Sequence, residues 1–199
     1  VLYYYAVVSG DCGTPVTSNV SGAVTVNMEL ALAASSKTDA LCFGASTGSV
    51  TAGEVTNAVG TVSYSWKNSS DAVVGTTETV SNLPAGTYTV TVTDDCFTKS
   101  NSVTVGEPSQ ITASASAGTI LCNGGTTTLT VTAAGGTGSL EYSLNGGAYQ
   151  SENTFTVSAS ETPYVVTVKD ANGCTKAAAG VTVGEPSQIT ASASAGTIL

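Results

Sequence analysis

Val103–Leu121 reads VTVGEPSQITASASAGTIL, and Val181–Leu199 reads the same, residue for residue, at an offset of 78. Identity over so long a stretch is not chance, so the chain is a tandem repeat. The period exceeds that of most solenoid units and suits a small self-contained β-domain. Within the stretch, VTV and TASASA alternate at period two, as strands do, while GEPS reads as a connection. The predicted fold is all-β: tandem Ig-like antiparallel β-sandwich modules of about 78 residues, arranged as beads on a string.

Working outward, the composition agrees. The chain has 199 residues, with 33 Thr, 25 Ser, 25 Val and 22 Gly, a mixture that favours strands joined by turns. Histidine is absent and the five basic residues are all lysine, against 14 acidic residues, for a net charge of −9. These counts exclude Ser-His-Asp and Cys-His catalysis, histidine metal ligation and bidentate arginine clamps. They also argue against nucleic-acid partners, and no apolar run is long enough for membrane insertion. The chain is predicted not to be an enzyme.

Cysteine spacing follows the repeat. Cys42 to Cys96 is 54 residues and Cys122 to Cys174 is 52, with shorter gaps of 30 and 26 before and between them. The alternation predicts one pair per module, Cys42–Cys96 and Cys122–Cys174, each worth on the order of 2–4 kcal/mol. Disulfides place the chain outside the cytoplasm, in an extracellular or cell-surface setting. Tyr5–Cys12 parallels Tyr88–Cys96, which makes Cys12 the second half-cystine of an upstream module. The predicted organisation is the C-terminal part of that module (1–26), complete repeats at 27–105 and 106–183, and the start of the next repeat (184–199).

Inside a module, Tyr88, Val90 and Val92 alternate with Thr, as do Tyr164, Val166 and Val168 with their neighbours. The apolar set is expected inward and the hydroxyls outward. Met28–Ala34 has a helical look but aligns with a strictly alternating stretch, and reads as a strand. Leu140–Leu144, Asn145-Gly146-Gly147 and Ala148–Gln150 read as a hairpin.

Cys42-Phe43-Gly44, Tyr64-Ser65-Trp66, Asn82-Leu83-Pro84-Ala85-Gly86-Thr87-Tyr88 and Val90-Thr91-Val92-Thr93-Asp94 mark the first module. Val166-Thr167-Val168-Lys169-Asp170-Ala171-Asn172-Gly173-Cys174 and Val181-Thr182-Val183-Gly184-Glu185-Pro186 mark the second. Together they resemble the SprB-type repeat of Bacteroidota surface proteins. The second module departs from the pattern with Leu144 in place of the Trp. The resemblance implies a very long cell-surface adhesin exported by type IX secretion, with gliding motility the activity of the name-giving member. The function so implied is a stalk or filament whose partners are neighbouring modules. The alternatives are a module binding a surface glycan or protein, and a self-assembling fibre or sheath.

Candidate sites are few. Asp94, Asp95 and Asp170 are the best oxygen cluster, a weak Ca²⁺ candidate beside an ordinary Asp turn; no other cofactor is implied. Glu107-Pro108 and Glu185-Pro186 read as linkers in which Pro stiffens the chain and Glu is solvated. Trp66, Tyr64 and Tyr142 read as core, with a sugar platform the alternative. The Ser/Thr faces serve solubility or broad weak binding, and sequence does not separate the two.

Overall fold

A computed structural model describes residues 28–196 and, before them, the antiparallel pair β1 (Val7–Val8) and β2 (Val16–Thr17). Cys12 and the other residues of 1–27 apart from those two strands lie outside the described residues, as do 197–199. Every element among the described residues is a strand, and no helix is long and apolar enough to cross a membrane. The chain divides into two compact units, Val1–Glu107 and Pro108–Leu199.

The first unit continues with β3 (Ala31–Leu32), β4 (Ser36–Thr38), β5 (Gly48–Thr51), β6 (Val55–Thr56), β7 (Ser63–Asn68), β8 (Val73–Gly75), β9 (Thr79–Leu83), β10 (Gly86–Thr93) and β11 (Thr98–Val105). One sheet has the order β11-β10-β7-β8, the second β4-β5-β9, and β3 pairs with β6. All pairings are antiparallel. The period-two reading holds on β10: Tyr88, Val90 and Val92 are buried, and Val90 lies opposite Trp66 of β7. Val50 of β5 and Val80 and Leu83 of β9 close the same core from the second sheet, which makes the unit a sandwich. Tyr88 Oη donates to the carbonyl of Pro84 at 2.8 Å, pinning the β9–β10 corner as the tyrosine corner of Ig-like sandwiches does. Trp66 is fully buried, and its indole N–H has no partner among the described residues. Of the 28–34 stretch, only Ala31–Leu32 forms a strand, because its neighbour β6 is itself two residues long.

The second unit comprises β12 (Thr112–Ala117), β13 (Thr126–Ala134), β14 (Glu141–Leu144), β15 (Thr154–Ser158), β16 (Ser160–Tyr164), β17 (Val166–Lys169), β18 (Thr175–Ala177) and β19 (Val181–Val183). The sheets are β12-β13-β15, β14-β17-β18 and β16-β19. Leu129 and Val131 of β13, Val157 of β15 and Val166 and Val168 of β17 form the core, with Ile111, Ile120 and Val183 at its margins. Leu144, which stands where the first module has Trp66, lies opposite Val166 and is partly buried. The expected hairpin forms: Asn145 and Gly146 have φ of 48° and 76°, the type I′ signature, and Tyr142 and Gln150 exchange backbone hydrogen bonds.

Two outcomes are expected from this packing. Leu129→Ala removes a fully buried side chain and should cost about 2–5 kcal/mol in urea unfolding followed by circular dichroism. Tyr88→Phe keeps the ring and loses the bond to Pro84, so unfolding of the first unit, read from the single Trp66, should shift by about 1 kcal/mol.

Candidate functional site at the ends and outer faces of the units

Asp94 closes the β10–β11 turn and Asp170 follows β17, the same place in each repeat. Both carboxylates are buried. Asp94 Oδ2 accepts the Val59 amide at 2.8 Å, and Oδ1 accepts the amides of Cys96 at 2.8 Å and Phe97 at 2.5 Å. Asp170 Oδ2 accepts the Thr137 amide at 2.9 Å, and Oδ1 accepts those of Asn172 at 3.0 Å and Cys174 at 2.8 Å. Each aspartate thus ties its own turn to a loop more than thirty residues away.

The electrostatics follow from these bonds. The Val59 amide does most to hold Asp94 below the ordinary aspartate value of 3.8; burial opposes it, and the Cys96 and Phe97 amides add to it. At Asp170 burial is the largest single influence and pushes the carboxyl up, but the amides of Thr137, Cys174, Asn172 and Gly173 together outweigh it and leave the group lowered. The Asp94 and Asp170 oxygens, two of the three expected Ca²⁺ candidates, therefore accept from backbone N–H groups. Among the described residues no three His, Cys, Asp or Glu side chains are grouped as ligands of a metal ion would be.

The opposite end of each unit holds the linker glutamates. Glu107 Oε2 accepts the Gly44 amide at 2.6 Å, and Glu185 Oε2 accepts the Gly124 amide at 2.6 Å. The loop after the first cysteine of each repeat is bonded to the Glu that leaves it, so these side chains are not simply solvated as expected. Gly44 and Gly124 have φ of 71° and 76°, the left-handed conformation that turns the amide towards the carboxylate. Asp39 adds to this end in the first unit, accepting the Gly106 amide at 2.6 Å and Lys37 at 2.5 Å. Sequence reading missed Asp39, because Thr119 holds the corresponding place in the second repeat and only the fold brings position 39 to Gly106. The second repeat's counterpart bond is Asn123 Nδ2 to the Pro186 carbonyl at 3.1 Å.

The cysteines depart from expectation. Cys42, Cys96 and Cys174 are disulfide-bonded, while Cys122 is free and exposed, so the expected Cys122–Cys174 pair is absent. The reason is strand length. Cys122 sits beside Glu185, at the start of β13, and Cys174 sits beside Asp170, at the end of β13. Nine residues of strand separate them, roughly 30 Å, whereas a disulfide needs Cα atoms within about 7 Å. The expected Cys42–Cys96 pair meets the same obstacle. Cys42 lies between the anchors Ala40–Gly106 and Gly44–Glu107, level with Gly86 and Val105, while Cys96 lies at the far end of β10, beyond Thr93 and Thr98.

The outer faces carry hydroxyls in register. Thr87 and Thr104, Thr89 and Ser102, and Thr93 and Thr98 are cross-strand partners whose oxygens lie 2.7–3.1 Å apart. In the second unit the exposed rows include Ser116–Thr130–Thr154 and Thr128–Thr156. Trp66, Tyr64 and Tyr142 all pack into or against the cores, so they form no aromatic platform. A shallow polar hollow of about 290 Å³ is lined by Ser139, Glu141, Lys169, Asp170, Ala171 and Gly173. Its lysine is paired with Glu141 at 2.7 Å and lies 4.0 Å over the Tyr149 ring, and its aspartate is consumed by backbone amides.

The SprB repeat model matches residues 34–71, about a fifth of the chain; of the motifs that carry the resemblance, Cys42-Phe43-Gly44 and Tyr64-Ser65-Trp66 fall within it and the others lie beyond it. No curated protein matches. Among solved structures, Drosophila OTK extracellular domains 3–5 align at 16% identity and a TM-score of 0.34, over 85% of this chain and 65% of that one. A Dscam structure concerned with isoform specificity aligns at 14% identity and a TM-score of 0.29, over 77% and 47%. The BSP domain of a biofilm associated protein aligns at 17% and 0.26, over 77% and 30%. The chain thus spans less than two thirds of the length of each.

The turn aspartates generate a pH dependence. Their folded pKa values are lowered, so the stability they supply is present above the ordinary aspartate value and lost as pH falls through the lower folded values. The urea midpoint should hold steady near neutrality and fall below about pH 4. Asp170→Asn should remove part of that fall and cost about 1–3 kcal/mol at pH 7. At the other end, Glu107→Ala should speed exchange of the Gly44 amide at least tenfold by NMR while leaving the β10 amides protected.

Proposed function

We propose that the chain is a non-catalytic segment of an extracellular, cell-surface stalk or filament, and that it serves adhesion. The observation that carries this reading is the repetition of one sandwich in which a turn aspartate, Asp94 or Asp170, and a linker glutamate, Glu107 or Glu185, are bonded to the unit's own backbone amides. What remains on the surface is hydroxyl rows with few charges. Such rows suit weak contact with a hydrated surface, and repetition along a chain turns weak contacts into avidity. The SprB repeat match supports placing the segment in a surface adhesin, and the family's gliding role is the finer form of the same reading. Binding of a defined glycan or protein is the second reading, favoured by the same hydroxyl rows.

Antibody raised to this chain should label live, unpermeabilised cells as surface threads. Threads that travel along the cell give the motility form, and stationary threads the stalk form. Label found only in the medium or in an internal compartment would sink both. Micromolar binding of the intact chain to a single glycan on an array would shift the function to the second reading.

A further inference from the structure

We propose that residues 190–195 are a donor strand, and that their partner is β13 of a second copy of this chain, beside which they take the place of β12. Residues 187–196 repeat 109–118 without a change. In the first occurrence the strand is seated. Gly136 donates to the Ser109 carbonyl at one end, and Gly118 donates to the Thr128 carbonyl at the other. Between them Thr112–Ala117 is paired with β13, Ile111 is buried, and Ala113, Ala115 and Ala117 pack against the core. In the second occurrence every residue from 187 to 196 is exposed, and Ile189 is 94% exposed against 6% for Ile111. A stretch with the same side chains fits the same place, in the same register and with the same core contacts.

The segment cannot reach that place in its own unit. Glu185 is bonded to the Gly124 amide, two residues before β13 begins. Ser187 in the β12 place would have to meet Gly136, two residues after β13 ends. The nine residues of β13 separate those points by roughly 30 Å, whereas the two Cα steps from Glu185 to Ser187 span at most about 7.6 Å. The direction is wrong as well. A chain leaving the Gly124 end runs parallel to β13, and β12 is antiparallel to it. The β13 that accepts residues 190–195 therefore belongs to another molecule.

The exchange trades like for like. The incoming strand makes the contacts that the resident β12 gives up, so the tether decides the balance. The resident is joined to β13 by the short loop 118–125, which gives it an effective concentration on the order of mM. A donor from another copy competes at chain concentrations of about that size, or at lower ones when folding starts with β13 still unpaired. The exchange needs only the repeat, and no adhesive ligand.

Proline separates the two strands experimentally. Gly118 to Thr128 sets the alternation of the ladder, so the Ser114 amide is the one that faces the Thr132 carbonyl, and Ser192 is its counterpart in the free segment. Ser192→Pro removes that donor from an exposed stretch and leaves both sandwiches as they are. The unsubstituted chain and Ser192→Pro, each with Cys122 alkylated and the disulfides intact, are refolded from urea at about 1 mM and at about 1 μM, and sized by chromatography with light scattering. The unsubstituted chain should form dimers and longer chains at the higher concentration, and Ser192→Pro should stay monomeric. Monomers from both, or equal association of both, overturns the proposal. In the oligomer the amides of residues 190, 192 and 194 should be protected from hydrogen exchange roughly tenfold or more over the monomer, and an oligomer without that protection overturns it too. Ser114→Pro, which vacates the place beside β13, should associate already near 1 μM, and the double variant Ser114→Pro/Ser192→Pro should not. If Ser114→Pro does not fold, the comparison of the unsubstituted chain with Ser192→Pro decides alone.

Discussion

Everything in the first unit depends on β10 having a partner on each side. Only a strand paired along both edges can bury one whole face without leaving backbone groups unpaired. β10 pairs with β7 and β11, so Tyr88, Val90 and Val92 go inward together and bring Trp66 with them. The second sheet then has a surface to close on. The hydroxyls of Thr87, Thr89 and Thr93 face the other way in the same stroke and find partners across the strand, because the pleat leaves no choice.

With so few charges, the carboxylates are placed where backbone donors would otherwise be lost. Turns and linkers expose amides that no strand satisfies. Asp94 and Asp170 serve the turns, and Glu107 and Glu185 serve the cysteine loops. The repetition of both devices in two units of differing sequence marks them as parts of the fold. A residue type that suggests a metal site in the sequence is here a tie between segments far apart in the chain. The outward hydroxyls pair with one another on the exposed faces.

Periodicity was legible because it is local. The inward Val and Tyr of β10 and β17, the Asn145-Gly146 turn and the core place of Trp66 all follow from spacing over a few residues. Cysteine pairing was not, because it depends on which end of a sheet each loop reaches. A spacing of 54 residues is compatible with a bond inside a repeat, but an odd number of sheet-long crossings puts its two cysteines at opposite ends. The bond of Asp39 to Gly106 was hidden for the same reason, since its partner lies 67 residues away.

The repeated segment separates the two kinds of information. Its sequence determined that the chain is a tandem array, that VTV forms a strand in both copies, and that the Val before each Gly-Glu-Pro is buried, as Val105 and Val183 are. It did not determine the fate of ITASASA. In one copy Thr112–Ala117 is β12, paired with β13, and Ile111 is buried at 6% exposure. In the other, the same residues form no strand and Ile189 is 94% exposed. Alternation prepares a strand with an apolar face, but only a neighbouring strand and a core supply the hydrogen bonds and the buried surface that make it one.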